Sequence, residues 1–120
     1  MKFTTGTDII EVDRIRKAVD NPSFRDKVFT PIEIAYCESK NDSKYEHYAA
    51  RFAAKEAVFK AISYDLDDKY DIGWKNIEIT NDNDGRPVVK VNADIKKIEI
   101  DVSLSHIKEY AIATAVVYKK

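Results

Sequence analysis

The stretch Arg51-Phe-Ala-Ala-Lys-Glu-Ala-Val-Phe-Lys-Ala-Ile62 has the spacing of a helix, and charged side chains interrupt its apolar positions. At 100° per residue, Glu56 and Lys60 fall on one side of this helix, within a stripe that otherwise consists of alanine and phenylalanine. A carboxylate in such a stripe needs a partner. Glu56 is therefore either one half of an i,i+4 ion pair with Lys60 or a ligand of a metal ion.

Arg51 and Lys55 form a second pair with i,i+4 spacing, and their charges have the same sign. Such a pair destabilises an isolated helix by about 0.2–0.5 kcal/mol unless an anion or a carboxylate lies between the two cations. Both residues are therefore candidate anion ligands, with solvated cations above apolar stems as the alternative. Together with Lys60, the helix offers up to three cations that could bind phosphate.

Composition limits the possible classes of protein. The 120 residues are 44% hydrophobic, so we expect residues 1–120 to form a single domain around one core. The 20 basic and 21 acidic residues give a net charge of -1, and no nucleic-acid partner is expected. The single cysteine, Cys37, excludes an internal disulfide and fits a reducing compartment. No signal peptide or membrane span is visible, so we expect a cytoplasmic protein with no membrane partner.

Helical patterns dominate the first half of the chain and strand patterns the second, which predicts an α+β fold with a long central helix packed on antiparallel strands. In Thr30-Pro31-Ile32-Glu33, a capping threonine, a proline at the first helical position and a glutamate at the third predict the start of a helix. The predicted helices are one that carries Val12 and Ile15 and ends before Asn21-Pro22, one over 31–39 and one over 45–62.

The predicted strands form two antiparallel pairs. They lie at 77–79 and 88–91, and at 98–104 and 110–118, after a short strand or extended lead-in at 3–10. The first pair turns through 81–87, where Gly85 can take a positive φ. The second pair is joined through 105–109, a connection that contains His106.

Four separated segments carry a family resemblance. They are Gly6-Thr-Asp-Ile-Ile-Glu-Val-Asp-Arg-Ile15, Phe29-Thr-Pro-Ile-Glu33, residues 51–61, and Val102-Ser-Leu-Ser-His106 with Tyr110-Ala-Ile-Ala113. Their order and spacing resemble the holo-acyl-carrier-protein synthase family, the short phosphopantetheinyl transferases of fatty acid synthesis. The turn that contains Gly85-Arg-Pro87 fits the same family. One departure is Ser63-Tyr64-Asp65, at the place where the family usually has Gly-Thr-Gly.

This resemblance implies the 4′-phosphopantetheinyl transferase fold and transfer of 4′-phosphopantetheine from coenzyme A to a serine of apo acyl carrier protein. Adenosine 3′,5′-bisphosphate would be released. It also implies a homotrimer whose active sites are shared between neighbouring subunits, because a chain this short forms only part of a coenzyme A cleft. Acyl carrier protein and coenzyme A are the expected partners, and Mg²⁺ is the expected cofactor.

The resemblance assigns roles to individual residues. Asp8 and Glu56 would bind Mg²⁺, an ion that prefers a few carboxylates together with phosphate oxygens and water. Glu56, Lys60 and His106 would be catalytic, and Arg14 would dock the acidic carrier. The residues expected to bind coenzyme A are Arg51, Lys55, Lys60, Gly85, Pro87 and His106. The general base stays open between Glu56, acting through a metal-bound water, and another group.

Each assignment has a plainer alternative. Asp8 could be a helix cap, and His106 could cap the preceding strand through local hydrogen bonds. We expect His47 to be a surface histidine, Cys37 a packed thiol, and Trp74 and the tyrosines core or interface residues. The alternative functions are a non-catalytic module of the same fold that binds carrier protein and, less favoured, a small Mg²⁺-dependent nucleotide phosphohydrolase.

Overall fold

A computed structural model of the chain describes residues 2–63, 66, 72–93, 95 and 97–119. Its helices are α1 (Val12–Val19), α2 (Pro22–Val28), α3 (Pro31–Glu38) and α4 (Lys44–Ile62), and its strands are β1 (Phe3–Glu11), β2 (Ile77–Asn81), β3 (Pro87–Val91), β4 (Ile98–His106) and β5 (Tyr110–Lys119). The prediction of an α+β fold with a long central helix and antiparallel strands is confirmed.

Three strands form an antiparallel sheet in the order β1-β5-β4, so β1 and β4 are its two edges. The register places Asp8 opposite Ala113, and His106 opposite Ala111. Residues directly opposite each other project to the same face of a sheet, and the alternate alanines of β5 are buried on one face. Asp8 and His106 therefore project to the same buried face.

Helix α4 covers that face and approaches β1 very closely. A Cβ atom built on Gly6 would lie 1.9 Å from Ala57 O, and Thr4 Oγ1 donates to Ala61 O at 2.7 Å. The N-terminal part of the helix reaches β4 instead, where the rings of His47 and His106 are 5.2 Å apart. Helix α4 thus crosses the sheet from one edge to the other.

The structure corrects the predicted apolar stripe of this helix. Phe52, Glu56 and Phe59 are only half-buried and Lys60 is exposed, whereas the side toward the sheet consists mainly of alanines. Alanine is a weak signal in a hydrophobic pattern, but its small side chain is what allows a helix to lie close to a strand. Among the charged residues of α4, Lys55 is the most deeply buried, with 0% exposure.

The predicted start of α3 is confirmed, but the prediction missed the start of α2. Thr30 and Glu33 form the full capping box, with Pro31 at the first helical position. The sequence Asn21-Pro22 ends α1, as expected, but it also starts α2, which was not predicted. Asn21 Oδ1 accepts from the Ser23 amide, so the same dipeptide works as a stop and as a cap.

Strands β2 and β3 pair as a separate antiparallel hairpin, as predicted. Strand β4 is two residues longer than expected, so His106 is its last residue and not part of the connection to β5. Within the described ranges, no helix is both long and apolar enough to cross a bilayer.

The close approach of β1 and α4 makes Gly6 the most constrained glycine among those that the structure describes. We expect Gly6→Ala to lower the free energy of unfolding by about 3 kcal/mol or more, because the new methyl group overlaps backbone atoms that cannot rotate away. Gly73→Ala is the matched control, since its Cβ would meet only the Asn76 side chain at 3.4 Å. Urea denaturation of both variants checks this, and equal stability losses would contradict it.

Candidate active site

Asp8, Glu56 and Lys60 lie together at the β1 edge of the sheet. Lys60 Nζ donates to Thr7 O at 3.0 Å and lies 3.3 Å from Asp8 Oδ1. Glu56 makes no hydrogen bond or ion pair with any other residue of the described chain. The structure therefore does not contain the ion pair between Glu56 and Lys60 that was the alternative to a metal ligand, and Lys60 pairs with Asp8 across 52 residues of sequence.

The electrostatic state of Glu56 follows from this arrangement. Burial raises the pKa of Glu56 above its ordinary value, and the negative charge of Asp8 raises it further. The ammonium group of Lys60 acts in the opposite direction, but its effect is the smallest of the three. Glu56 is thus a half-buried carboxylate that lacks a cation of its own.

Two neighbouring carboxylates that share a single ammonium group fit a divalent cation. Mg²⁺ is commonly bound by one or two carboxylates, with substrate phosphate and water as its other ligands. The described residues contain no group of three or more histidine, cysteine or acidic side chains that could hold a metal. Asp8 and Glu56 therefore fit an open magnesium site, completed by a substrate, and not a closed protein cage.

A cleft of about 690 Å³ lies at the other edge of the sheet, between β4 and the β2–β3 hairpin. Four of the residues predicted to bind the cofactor line it together: Arg51, Gly85, Pro87 and His106. Its volume lies within the usual range for small-molecule sites. Gly85 has a φ of 83°, a left-handed conformation that lets the hairpin reverse tightly at the rim.

Two histidines and a carboxylate converge at one end of this cleft. His106 Nδ1 lies 2.9 Å from Glu46 Oε1, and because a carboxylate only accepts, the proton is on Nδ1 and Nε2 stays available. Burial lowers the pKa of His47, and the neighbouring charges of His106 and Arg51 lower it further. His47 is therefore a half-buried cleft residue, which corrects its prediction as a surface histidine.

Lys55 does not face the cleft. Its side chain is 0% exposed, and Nζ lies 2.8 Å from Glu33 Oε1 while it also donates to Trp74 O and Ile77 O. These three acceptors use all the donors of the ammonium group. The prediction that Lys55 binds coenzyme A is therefore wrong for this structure, and the carboxylate of Glu33 balances its charge.

Arg51 is also buried, with 3% exposure, but it borders the cleft. Its guanidinium donates to Asn81 Oδ1 at 2.6 Å and lies 4.0 Å above the ring of Tyr36. Its Nε has no hydrogen-bond partner within the described part of the protein. A buried donor without a partner is costly, so this atom has unused capacity at the cleft wall.

Helix α4 separates the two groups. Positions 51 and 56 are about 140° apart around a helix, so Arg51 and Glu56 face different edges of the sheet. The predicted catalytic set is thus divided, with Glu56 and Lys60 beside β1 and His106 beside β4.

Two other predicted features lie away from both groups. Arg14 is exposed on α1, and within the described chain it makes no ion pair. Tyr64 and Asp65, which belong to the departure from the family pattern, lie outside the described residues.

Several cleft residues were missed from the sequence. Asn81 and Arg86 belong to the predicted hairpin turn that carries Gly85 and Pro87, whereas Tyr36 lies in α3 and no local pattern links it to that turn. His47 could have been found, because it precedes Arg51 by four residues and so lies on the same side of the helix. Glu33 was identified only as a cap, since its contacts with Lys55 and β2 join distant parts of the sequence.

Comparison with protein families gives a match that covers nearly the whole chain. Residues 4–115 match the 4′-phosphopantetheinyl transferase superfamily. A holo-[acyl-carrier-protein] synthase of Ruminiclostridium cellulolyticum is 46% identical over 98% of this chain and 92% of its own length. One from Cytophaga hutchinsonii is 43% identical over 90% of this chain and 91% of its own.

Solved structures with the same fold include complexes with coenzyme A. The ACPS–CoA complex of Chronobacterium ammoniagenes has a TM-score of 0.85 at 25% identity, over 100% of this chain and 99% of that one. A holo-(acyl-carrier-protein) synthase from Bacillus anthracis, in complex with CoA (3′,5′-ADP), has a TM-score of 0.83 at 32% identity, over 98% and 96%.

The unpaired carboxylate of Glu56 predicts a pH-dependent stability. Its raised pKa means that the folded state binds this proton more tightly than the unfolded state, so the charged form destabilises the fold above the folded pKa. Without divalent metal, we expect Glu56→Gln to melt at a higher temperature than wild type at about pH 7.5. The difference should shrink as the pH falls to the ordinary glutamate pKa of 4.5, where Glu56 is half protonated in the unfolded state and more fully protonated in the folded state.

Thermal unfolding in a chelator, at about pH 7.5, 6 and 4.5, tests this expectation. Glu109→Gln, at an exposed position of the turn before β5, is the control and should track wild type at every pH. Added Mg²⁺ should raise the melting temperature of wild type and not that of Glu56→Gln. A Glu56→Gln protein that melts with wild type at all three pH values would contradict the burial argument.

Proposed function

Because this chain belongs to the holo-[acyl-carrier-protein] synthase family of the 4′-phosphopantetheinyl transferase superfamily, whose members transfer 4′-phosphopantetheine to apo acyl carrier protein, we propose that coenzyme A is the donor of that group. The acceptor is a serine hydroxyl, and adenosine 3′,5′-bisphosphate leaves. The observation that carries this proposal is the cluster of Asp8, Glu56 and Lys60, in which two carboxylates and one ammonium group lie side by side.

Coenzyme A occupies the cleft between β4 and the hairpin in this proposal. The volume of about 690 Å³ suits a ligand of this kind, and His106, Arg51 and the hairpin turn provide donors along its walls. The similar structures from Chronobacterium ammoniagenes and Bacillus anthracis are described as complexes with coenzyme A, which supports the same ligand here.

The reaction requires one bond exchange at phosphorus. The serine oxygen bonds to the phosphorus that carries pantetheine, and the bond from that phosphorus to the bridging oxygen of the pyrophosphate breaks. Negative charge then develops on the leaving phosphate, and we assign Lys60, whose side chain is about half exposed, to stabilise it. Mg²⁺ held by Asp8 and Glu56 would neutralise pyrophosphate charge when bound.

The serine proton needs an acceptor. Burial and the charge of Asp8 raise the pKa of Glu56 in the metal-free protein, whereas a bound cation would lower it, so this shift does not select the base. Glu56, acting through a metal-bound water, and another group stay the two alternatives for the general base. His106 is assigned to hold the pyrophosphate through Nε2, since Glu46 occupies its other ring nitrogen.

We also propose that the active enzyme is a homotrimer. One face of the sheet is covered by α4, but the opposite face exposes large apolar side chains: Phe3 (57%), Ile9 (63%), Tyr110 (48%) and Ile112 (41%). Such a surface favours association. Helix α4 also separates the cluster at β1 from the cleft at β4, so a neighbouring copy would be needed to bring the two together. Sedimentation at the mass of a single chain would reject this assembly.

The remaining assignments concern the cellular context. We propose a cytoplasmic role in fatty acid synthesis, which the family membership and the single cysteine support. Arg14, exposed on α1, is assigned to dock the acidic carrier protein.

Incubation of the protein with coenzyme A, Mg²⁺ and apo carrier protein, followed by intact mass measurement, tests the function directly. We expect the carrier to gain the mass of one phosphopantetheine, and the gain should disappear when the acceptor serine is replaced. An unmodified carrier would reject the proposal. Release of phosphate from nucleotides without any transfer would favour the phosphohydrolase alternative.

The exposed pair of Lys60 and Asp8 separates a catalytic role from a structural one. A pair of this kind contributes little to stability, so we expect Lys60→Ala to fold normally. Its kcat should nevertheless fall by about 10²-fold or more, with a smaller change in the dissociation constant of coenzyme A. Lys60→Arg should recover only part of the rate, because a planar fork replaces a compact charge.

Single-turnover transfer and equilibrium coenzyme A binding, measured on the three proteins, provide the check. If Lys60→Ala transfers phosphopantetheine at the wild-type single-turnover rate, Lys60 has no catalytic role and is only part of an ion pair with Asp8.

The carrier-docking assignment makes a separate prediction. Arg14→Glu reverses a charge that faces the carrier, so the apparent KM for carrier protein should rise by roughly tenfold or more while coenzyme A binding stays within about twofold. Lys27→Glu, an equal reversal at an exposed position of α2, is the control and should leave both unchanged. Steady-state kinetics with each substrate varied in turn will measure this. Equal weakening toward both substrates would remove Arg14 from the docking surface.

A further inference from the structure

The ion pair of Glu33 and Lys55 lies in the interior of the protein and is not used by the proposed reaction. Both side chains are 0% exposed, and Glu33 Oε1 is 2.8 Å from Lys55 Nζ. Removing two charges from water is costly, and apolar side chains of similar size commonly stabilise a core as well or better. Stability alone therefore gives a weak account of this pair.

The hydrogen bonds of the pair converge on the segment that leads into and forms β2. Lys55 Nζ donates to Trp74 O at 3.0 Å and to Ile77 O, and Glu33 Oε2 accepts from the Ile79 amide at 2.8 Å. The amide of Ile79 therefore points away from β3 and toward α3. The two charged side chains act as a bridge that fastens the backbone of β2 to α3 and α4.

A two-stranded hairpin is marginally stable by itself, so its position depends on what attaches it to the rest of the protein. Ile77 and Ile79 are buried against α4, and the charged bridge adds directional hydrogen bonds to the same strand. Strands β2 and β3 form their own sheet, and β3 is not hydrogen-bonded to β4 in the described structure. The gap between β3 and β4 is the cleft. The hairpin provides one of its walls through Asn81, Asp82, Gly85, Arg86, Pro87, Val88 and Val89.

We propose that Glu33 and Lys55 are positioning residues, which hold the hairpin wall at the separation from β4 that coenzyme A binding requires. The inference rests on the proposed function, since it takes coenzyme A as the ligand of the cleft. Directional hydrogen bonds explain why a charged pair occupies this place. They fix where β2 lies along α4, whereas an apolar contact would let the hairpin slide.

The test uses the full chain with three variants: Glu33→Met, which removes the acceptor of the Ile79 amide, Lys55→Met, and the two changes combined. The combined variant leaves no buried charge without a partner, so it folds even if the single variants do not. We expect the dissociation constant of coenzyme A to rise by roughly tenfold or more in each folded variant. Single-turnover transfer at saturating coenzyme A should stay within about threefold of wild type, because Asp8, Glu56 and Lys60 are untouched.

Val19→Ala is the matched control for lost stability. Val19 is buried in α1, within a core cluster that does not include the hairpin strands. This variant should unfold more easily but bind coenzyme A like wild type. Hydrogen exchange at the Ile79 amide gives a second measurement, and exchange should be faster in the combined variant than in Val19→Ala.

The outcomes separate the two proposals. If wild type does not bind coenzyme A, the proposed function fails. If wild type binds it and the combined variant binds it equally well, only the positioning role is overturned. A loss of affinity that Val19→Ala reproduces would also overturn that role, and so would failure of all three variants to fold, because the pair would then serve stability alone.

Discussion

The close contact between Gly6 and the backbone of Ala57 is the constraint on which the candidate site depends. A single methyl group at Gly6 would overlap the carbonyl oxygen of residue 57, so the strand and the helix can meet only at a glycine. Asp8 lies two residues beyond Gly6 on β1. Glu56 and Lys60 lie on α4, one residue before and three residues after Ala57. The backbone approach therefore brings together three charged groups, and burial together with the charge of Asp8 raises the pKa of Glu56.

Burial along α4 decides the roles of its charged side chains. Arg51 and Lys55 are the pair that the sequence suggested for an anion, yet Lys55 is fully enclosed and balanced by Glu33. Glu56 and Lys60 remain partly accessible. The pKa of Glu56 is raised and its carboxylate lacks a cation of its own, and such unfavourable environments are common at functional sites. A buried ion pair and a partly exposed group of charges thus occupy different sides of one helix.

The division of the site by α4 would give the proposed assembly a physical purpose. One copy presents acidic and basic groups at β1 and a ligand-sized cleft at β4, with the helix between them. The apolar sheet face that α4 leaves uncovered is the surface on which a second copy could pack. Association would then remove apolar area from water and complete the site in a single step.

The sequence by itself determined the features that depend on neighbouring residues. Helical spacing, the capping box at Thr30, the hairpin turn at Gly85 and the order of four motifs were enough to identify the fold and the family. Tertiary structure decided which charges meet. Lys60 pairs with Asp8 and Lys55 with Glu33 because β1, α3 and α4 pack together, and burial depends on partners that lie far away along the chain, which no local pattern encodes.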